Sequence, residues 1–169
     1  LISSKIFYKF LEKNITNILN LKSPYIERAI LESCKIKKAV VEKDEKEKGK
    51  RKILNFGHTF AHAYEASLGY SQKLNHGEAV LLGMKSALKF SLMKKMLYKK
   101  EYELILRHYE NVKLPSKIKK YFSKKDINKI LSFMIKDKKN NSNKINLILL
   151  KRIGNPTLNN TYQINQLRS

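Results

Sequence analysis

From Ile6 to Ile135 the apolar residues recur every three or four positions, the spacing of one face of an α-helix, and only the tail departs from it. Ile6, Phe7, Phe10 and Leu11 open a first helical face, which Ile15, Ile18 and Leu19 continue. Ser23-Pro24 reads as the start of a second helix, with Ser23 as N-cap and Pro24 in the first helical position. That helix runs through Ile26, Ala29, Ile30, Ser33, Ile36 and Val40 into the charge run Glu42 to Lys50, with Gly49 as its stop. A third helix covers Asn55 to Leu68 and stops at Gly69. A fourth starts at His76-Gly77 and carries Ala79, Val80, Leu82, Gly83, Met84, Ala87, Leu88 and Phe90. A fifth spans Glu101 to Tyr109 before the break at Leu114-Pro115. Ser123 and Asp126 cap a sixth that reaches Ile135. Beyond a polar loop, Asp137 to Lys144, the apolar run Ile145 to Leu150 has strand length. The turn signal Gly154-Asn155-Pro156 lets Thr157 to Ile164 pair back. The expected fold class is mainly α: one multi-helix domain over residues 1–169 with a small C-terminal β-hairpin.

Composition narrows the function classes. No apolar run approaches the ~18 residues of a membrane span, and Leu1 to Lys5 does not open a secretory signal. The single cysteine, Cys34, has no intramolecular disulfide partner and no partner for a Cys-based zinc site; it reads as a half-buried helix residue in a reducing cytoplasm. Lys+Arg number 36 against 14 Asp+Glu, a net charge of +22. One reading is a nucleic-acid partner. The other is codon drift, because Lys, Asn, Ile and Tyr share A/T-rich codons and only Arg28, Arg51, Arg107, Arg152 and Arg168 are arginine. The lysines are scattered and form no stripe with interleaved aromatics, which favours drift. They can still steer an anionic substrate.

The stretch Arg51 to Val80 holds three of the four histidines. His58 and His62 are four apart and share a helix face, with Cβ atoms roughly 5–6 Å apart. On one continuous helix, Arg51, Asn55 and Glu65 would continue that side. His76 follows after a loop long enough to fold back. Imidazoles from two elements make a plausible divalent-metal set. Gly57 and Gly77, each beside a histidine, would let backbone or substrate approach closely. Taken singly, an H-x-x-x-H pair is a common surface feature and Glu65 an ordinary solvated residue. No H-E-x-x-H, no G-x-G-x-x-G and no Walker A loop is present, and no Cys/His/Asp set suggests a covalent nucleophile. Glu42, Asp44, Glu45 and Glu47, interleaved with Lys43, Lys46, Lys48 and Lys50, read on their own as a solvated helix face.

Three strings together resemble a known family: KKAVVEKDEKEKGKR (Lys37 to Arg51), LNFGHTFAHA (Leu54 to Ala63) and HGEAV (His76 to Val80). They closely resemble 3-dehydroquinate synthase. The segment from Asp137 to Asn140, the strand Ile145 to Leu150 and the hairpin with Gly154 are similar too. The resemblance covers essentially the whole chain, as the C-terminal domain only. It implies conversion of 3-deoxy-D-arabino-heptulosonate 7-phosphate to 3-dehydroquinate and phosphate in the shikimate pathway, toward aromatic amino acids, in the cytoplasm. It implies NAD, used catalytically and bound mainly by an N-terminal domain absent from this chain, a divalent metal (Zn2+ or Co2+), and a homodimer in the full-length form.

By motif, the resemblance makes His58 and His76 metal ligands. Lys37, Arg51, Asn55 and His62 become substrate contacts with catalytic roles, and a lysine of the Lys138-Lys139 pair a further substrate contact. Glu47 would orient Lys37 or Arg51. Ala61 stands where many members have Gly, and Tyr64 where many have Ile; a helix tolerates both. The family's third metal ligand is a glutamate just upstream of Leu1, and Glu65 or Glu78 would replace it only by rearrangement. The expectation is one half of an active site, inactive alone. Two competing readings remain: a metal-dependent polyol dehydrogenase of the same architecture, and a basic nucleic-acid-binding helical protein.

Overall fold

A computed structural model of the chain describes residues 1–115, 117–136 and 144–167. Within them lie six α-helices: α1 (Lys5–Leu19), α2 (Tyr25–Glu42), α3 (His58–Ser67), α4 (His76–Met93), α5 (Lys99–Asn111) and α6 (Ile127–Lys136). One antiparallel hairpin follows, β1 (Lys144–Arg152) with β2 (Asn155–Gln163). The expected class, mainly helical with a C-terminal hairpin, is the observed one. The polar loop expected over Asp137 to Lys144 falls, apart from Lys144, outside the described residues.

The centre of the domain is the pair α3 and α4, with α6 against α3 and β1 against α4. Phe60, Ala61, Ala63, Tyr64 and Ser67 face inward from α3, and Ala79, Leu82, Gly83, Ala87, Leu88, Phe90 and Ser91 from α4. Leu82, Leu88, Ile145, Leu147, Leu149 and Leu150 are almost wholly removed from water, each side chain contributing roughly 1.5–3 kcal/mol of transfer free energy. Alternation along β1 puts Ile145, Leu147 and Leu149 on one buried face. Ser91 ties hairpin to helix: its hydroxyl donates to the Ala87 carbonyl at 2.7 Å and accepts the Leu150 N–H at 3.0 Å. Lys129 of α6 donates to the Ser67 carbonyl at the C-terminal end of α3, 2.8 Å away.

Two backbones meet where α3 begins. A Cβ on Gly83 would lie 2.2 Å from the Gly57 carbonyl oxygen, and one on Gly57 would lie 2.6 Å from the Met84 nitrogen. Gly57 also has φ +86°, which L side chains rarely adopt. This left-handed kink breaks the helix expected over Asn55 to Leu68: residues Lys50–Asn55 form a 3-10 turn, and α3 starts only at His58. Arg51 and Asn55 therefore do not continue the helical face of His58.

Other boundaries differ for local reasons. The α2 N-cap is Pro24, not Ser23, because the Lys22 carbonyl accepts the Tyr25 and Ile26 N–H groups at 3.0 and 3.2 Å. The charge run is no helix face and Gly49 is no helix stop. α2 ends at Glu42, and the Asp44 carboxylate draws the following N–H groups into a loop. Cys34 is exposed, not half-buried. The expected caps at Gly69 (φ +64°) and at Ser123 with Asp126 are present. Gly77 has nothing within 4 Å of a built Cβ, so no protein atom requires glycine there.

These contacts set a direct comparison. Gly83→Ala should lower unfolding free energy by about 1–3 kcal/mol or more, through overpacking against backbone. Gly77→Ala should be neutral or raise it by up to about 1 kcal/mol. Urea denaturation of the two variants checks this; equal effects would contradict the crossing.

Candidate active site

The first turn of α3, the loop after α2 and strand β1 converge on a polar cleft, with the first residue of α4 beside it. α3 presents His58, His62 and Glu65 on the side away from its buried residues. α4 begins with His76, and the capping box of Asn75 and Glu78 settles where that helix starts. The ring centroids of His58 lie 5.7 Å from His62 and 5.8 Å from His76, and those of His62 and His76 are 6.4 Å apart. The three imidazoles thus form one cluster across two helices. A cleft of about 370 Å3 beside it is lined by Glu47, Lys52, Asn55, His58, Thr59, His62, Asn146 and Ile148.

Glu65 is not a solvated bystander. Its side chain is 14% exposed, and its Oε1 lies 3.0 Å from His76 Nδ1. That contact orients the ring and leaves His76 Nε2 as the nitrogen available to a ligand. Glu78 is committed to the cap, accepting the Asn75 N–H at 3.2 Å. Neither carboxylate stands as a third metal ligand, and among the described residues no three His, Cys, Asp or Glu side chains make a metal-competent group.

The histidines nonetheless suit a metal. His58 Nδ1 is buried and makes no full hydrogen bond among the described residues, with the Phe56 backbone near the ring, which leaves a desolvated nitrogen that a ligand could satisfy. Two imidazoles on one zinc, each Zn–N ~2.1 Å, have centroids roughly 5–6 Å apart, and the His58–His76 separation fits. Burial, with His62 and His76 adding like charge, holds the His58 imidazole below its ordinary pKa; the Phe56 backbone and Glu65 offset part of this. His58 is therefore biased toward the neutral form that coordinates metals. The His58–His62 pair, at 5.7 Å, meets the same centroid distance.

The remaining sequence-picked residues divide. Asn55 lines the cleft and donates from Nδ2 to Glu47 Oε1. Glu47 thus holds Asn55, where Lys37 or Arg51 was expected. Arg51 sits on the 3-10 turn, its Nη1 donating 2.6 Å to the Glu45 carbonyl, and does not line the cleft. Lys37 is exposed and borders a neighbouring groove with Leu1, Ile2, Ser33 and Leu54. Lys138 and Lys139 lie outside the described residues. Lys52, Thr59 and Asn146 were missed. A continuous helix would have turned Lys52 away, but the 3-10 turn brings it into the cleft lining, and Asn146 arrives on a strand far along the chain.

A mainly helical domain with a histidine-lined polar cleft at a helix crossing is the architecture of a small-ligand site. The model for the 3-dehydroquinate synthase C-terminal family matches residues 1–140, and the chain belongs to that family. It is 64% identical over 156 residues to the 3-dehydroquinate synthase of Pelagibacter ubique, covering 92% of this chain and 42% of that protein. It is 40% identical to that of Desulforamulus reducens, over 88% of this chain and 40% of the relative. The chain thus spans about two fifths of the length of these relatives. The solved structure of a 2-epi-5-epi-valiolone synthase from Streptomyces hygroscopicus, with NAD+ and Zn2+ bound, superposes with TM-score 0.81 at 16% identity, over 99% of this chain and 45% of that one. A 2-deoxy-scyllo-inosose synthase complexed with carbaglucose-6-phosphate, NAD+ and Co2+ gives TM-score 0.63 at 25% identity, over 85% of this chain and 38% of that one.

The burial of His58 has a pH signature. Its folded pKa lies below the ordinary 6.5, so the unfolded chain binds the proton more readily, and stability falls as pH drops through 6.5 toward the folded value. His108, also lowered by burial, adds to the slope. Without metal, urea midpoints should decline from about pH 7.5 to about pH 5.5, and His58→Gln should flatten part of that decline. An unchanged slope in His58→Gln would show that His58 titrates normally.

Proposed function

We propose that the chain is the metal- and substrate-binding part of a 3-dehydroquinate synthase. This enzyme would convert 3-deoxy-D-arabino-heptulosonate 7-phosphate to 3-dehydroquinate and inorganic phosphate. The observation that carries the reading is the three-histidine cluster at the α3–α4 crossing, opening on a cleft lined by Asn55 and Lys52, in a chain of this family. The NAD+ and divalent metals bound to the two solved relatives support the same cofactors here. The two-fifths coverage supports a further, NAD-binding segment in the working enzyme.

In this reading His58 and His76 hold a Zn2+ or Co2+ ion, with Glu65 steadying His76. The ion, when bound, would supply Lewis acidity toward substrate oxygens. Asn55, kept in place by Glu47, meets a substrate hydroxyl. Lys52 offers a positive charge to the carboxylate or phosphate. His62, on the same helix face as His58, sits where it can hold or pass a proton at a substrate hydroxyl. Arg51, Lys37 and a lysine of the Lys138-Lys139 pair are further substrate contacts only on the family resemblance, since neither Arg51 nor Lys37 lines the cleft. The +22 charge draws a doubly anionic substrate toward the site.

Phosphate release from the sugar-acid phosphate, with NAD+ and zinc, tests the reading on the polypeptide as its gene encodes it. Release should fall by more than about a hundredfold in His58→Ala, and KM should rise roughly tenfold in Lys52→Ala. No NADH should accumulate, since the hydride returns to the product. Net NADH formation from a polyol would instead identify a dehydrogenase, and absence of phosphate release from folded, zinc-loaded wild type would sink the synthase reading.

A further inference from the structure

We propose that Asp44 is a positioning residue for the cleft, acting through the loop 44–51 that its carboxylate folds. Its role in turnover rests on the function proposed above; its role in holding the loop does not. Asp44 does not line the cleft. Its Oδ1 accepts the Lys48 N–H at 3.0 Å, and its Oδ2 accepts the N–H groups of Gly49 and Arg51 at 2.8 and 2.9 Å. A carboxylate that gathers three backbone donors makes charge-assisted bonds, roughly twice as strong as neutral ones. The donors of Arg51 and then Gly49 hold its carboxyl below the ordinary carboxylate range, so it stays ionised near neutral pH.

The loop so closed carries the cleft's polar wall. Glu47 sits at its apex with φ +53°, a left-handed conformation disfavoured for a side chain of this kind. Such a conformation persists only where the surroundings impose it. Here the Glu47 N–H is bonded to the Asp44 carbonyl at 3.2 Å, and its carboxylate accepts from Asn55. Arg51 enters the 3-10 turn with its N–H on Asp44 and its guanidinium on Glu45, both within the same loop. Lys52 follows, its N–H on the Gly49 carbonyl at 3.2 Å. One carboxylate therefore pins the backbone at Lys48, Gly49 and Arg51, between Glu47 on one side and Lys52 on the other, and Glu47 in turn holds the side chain of Asn55. Without it, three N–H groups lose their acceptor, and the backbone that follows Glu47 is released from Lys48 to Arg51.

The test uses Asp44→Ala and the milder Asp44→Asn, which keeps one carbonyl acceptor, in the polypeptide as its gene encodes it. Amide hydrogen exchange should show loss of protection at Lys48, Gly49 and Arg51 in Asp44→Ala, with α3 and α4 still protected. The Asn55 side-chain amide resonance should move toward that of a solvated amide. With substrate, KM should rise about tenfold while kcat falls less than about threefold and bound zinc stays constant, with Asp44→Asn intermediate. Should Asp44→Ala not fold, the same readings on Asp44→Asn decide. Unchanged protection, or lost protection with an unmoved Asn55 resonance, would overturn the proposal. So would a KM equal to wild type. If wild type itself releases no phosphate, the synthase reading fails, and the exchange and Asn55 readings alone judge Asp44.

Discussion

The contact of two backbones at Gly57 and Gly83 is the constraint on which the rest of this domain depends. No side chain separates α3 from α4 there: a Cβ on Gly83 would meet the Gly57 carbonyl at 2.2 Å. That closeness lets the first residue of α3 and the first residue of α4 stand with their imidazoles 5.8 Å apart. A methyl group at the crossing would force the two helices apart or deform their backbones. Ala61, buried on the same seam, shows how little volume the crossing admits.

Much of this was legible in the sequence, and the failures share a cause. Helical periodicity located the six helices of the described residues, because each buries one stripe, and a strand-length apolar run with its turn signal located the hairpin. The face shared by His58, His62 and Glu65 was legible for the same reason. The pattern could not show that Gly57 would be left-handed, since that follows from its contact with α4. Asn55 and Arg51 were therefore placed on the wrong helix face, and Lys52 was passed over. The loop after α2 was hidden likewise: alternating charges read as a solvated helix until Asp44 is seen gathering three N–H groups. The pairing of Glu65 with His76 needs two helices packed together, and Asn146 needs the hairpin folded back. Family resemblance, not periodicity, singled out Lys37 and assigned roles to His76 and Arg51.

The chemistry divides along structural lines. The apolar crossing supplies rigidity: α3 and α4 bury one side in the core and leave the histidines on the other. The loop supplies charge and hydrogen-bonding groups, organised by an ionised carboxylate that does not line the cleft. A half-buried His58, its pKa lowered by burial, stands where both meet: it lines the polar cleft and an apolar groove with Tyr8, Leu54, Phe56 and Met84. The histidine side of the site is thus held by the packed helices, and its other side is an open cleft.

The central claim is that the α3–α4 crossing builds a metal position from His58 and His76. Anomalous X-ray diffraction at the zinc absorption edge, from crystals of the gene-encoded polypeptide grown with zinc, addresses it directly. The account predicts one strong peak within bonding distance of ring nitrogens of His58 and His76, with Glu65 still on the far side of the His76 ring. A zinc-loaded protein with its peak elsewhere, or with only one of these histidines in contact, would contradict it.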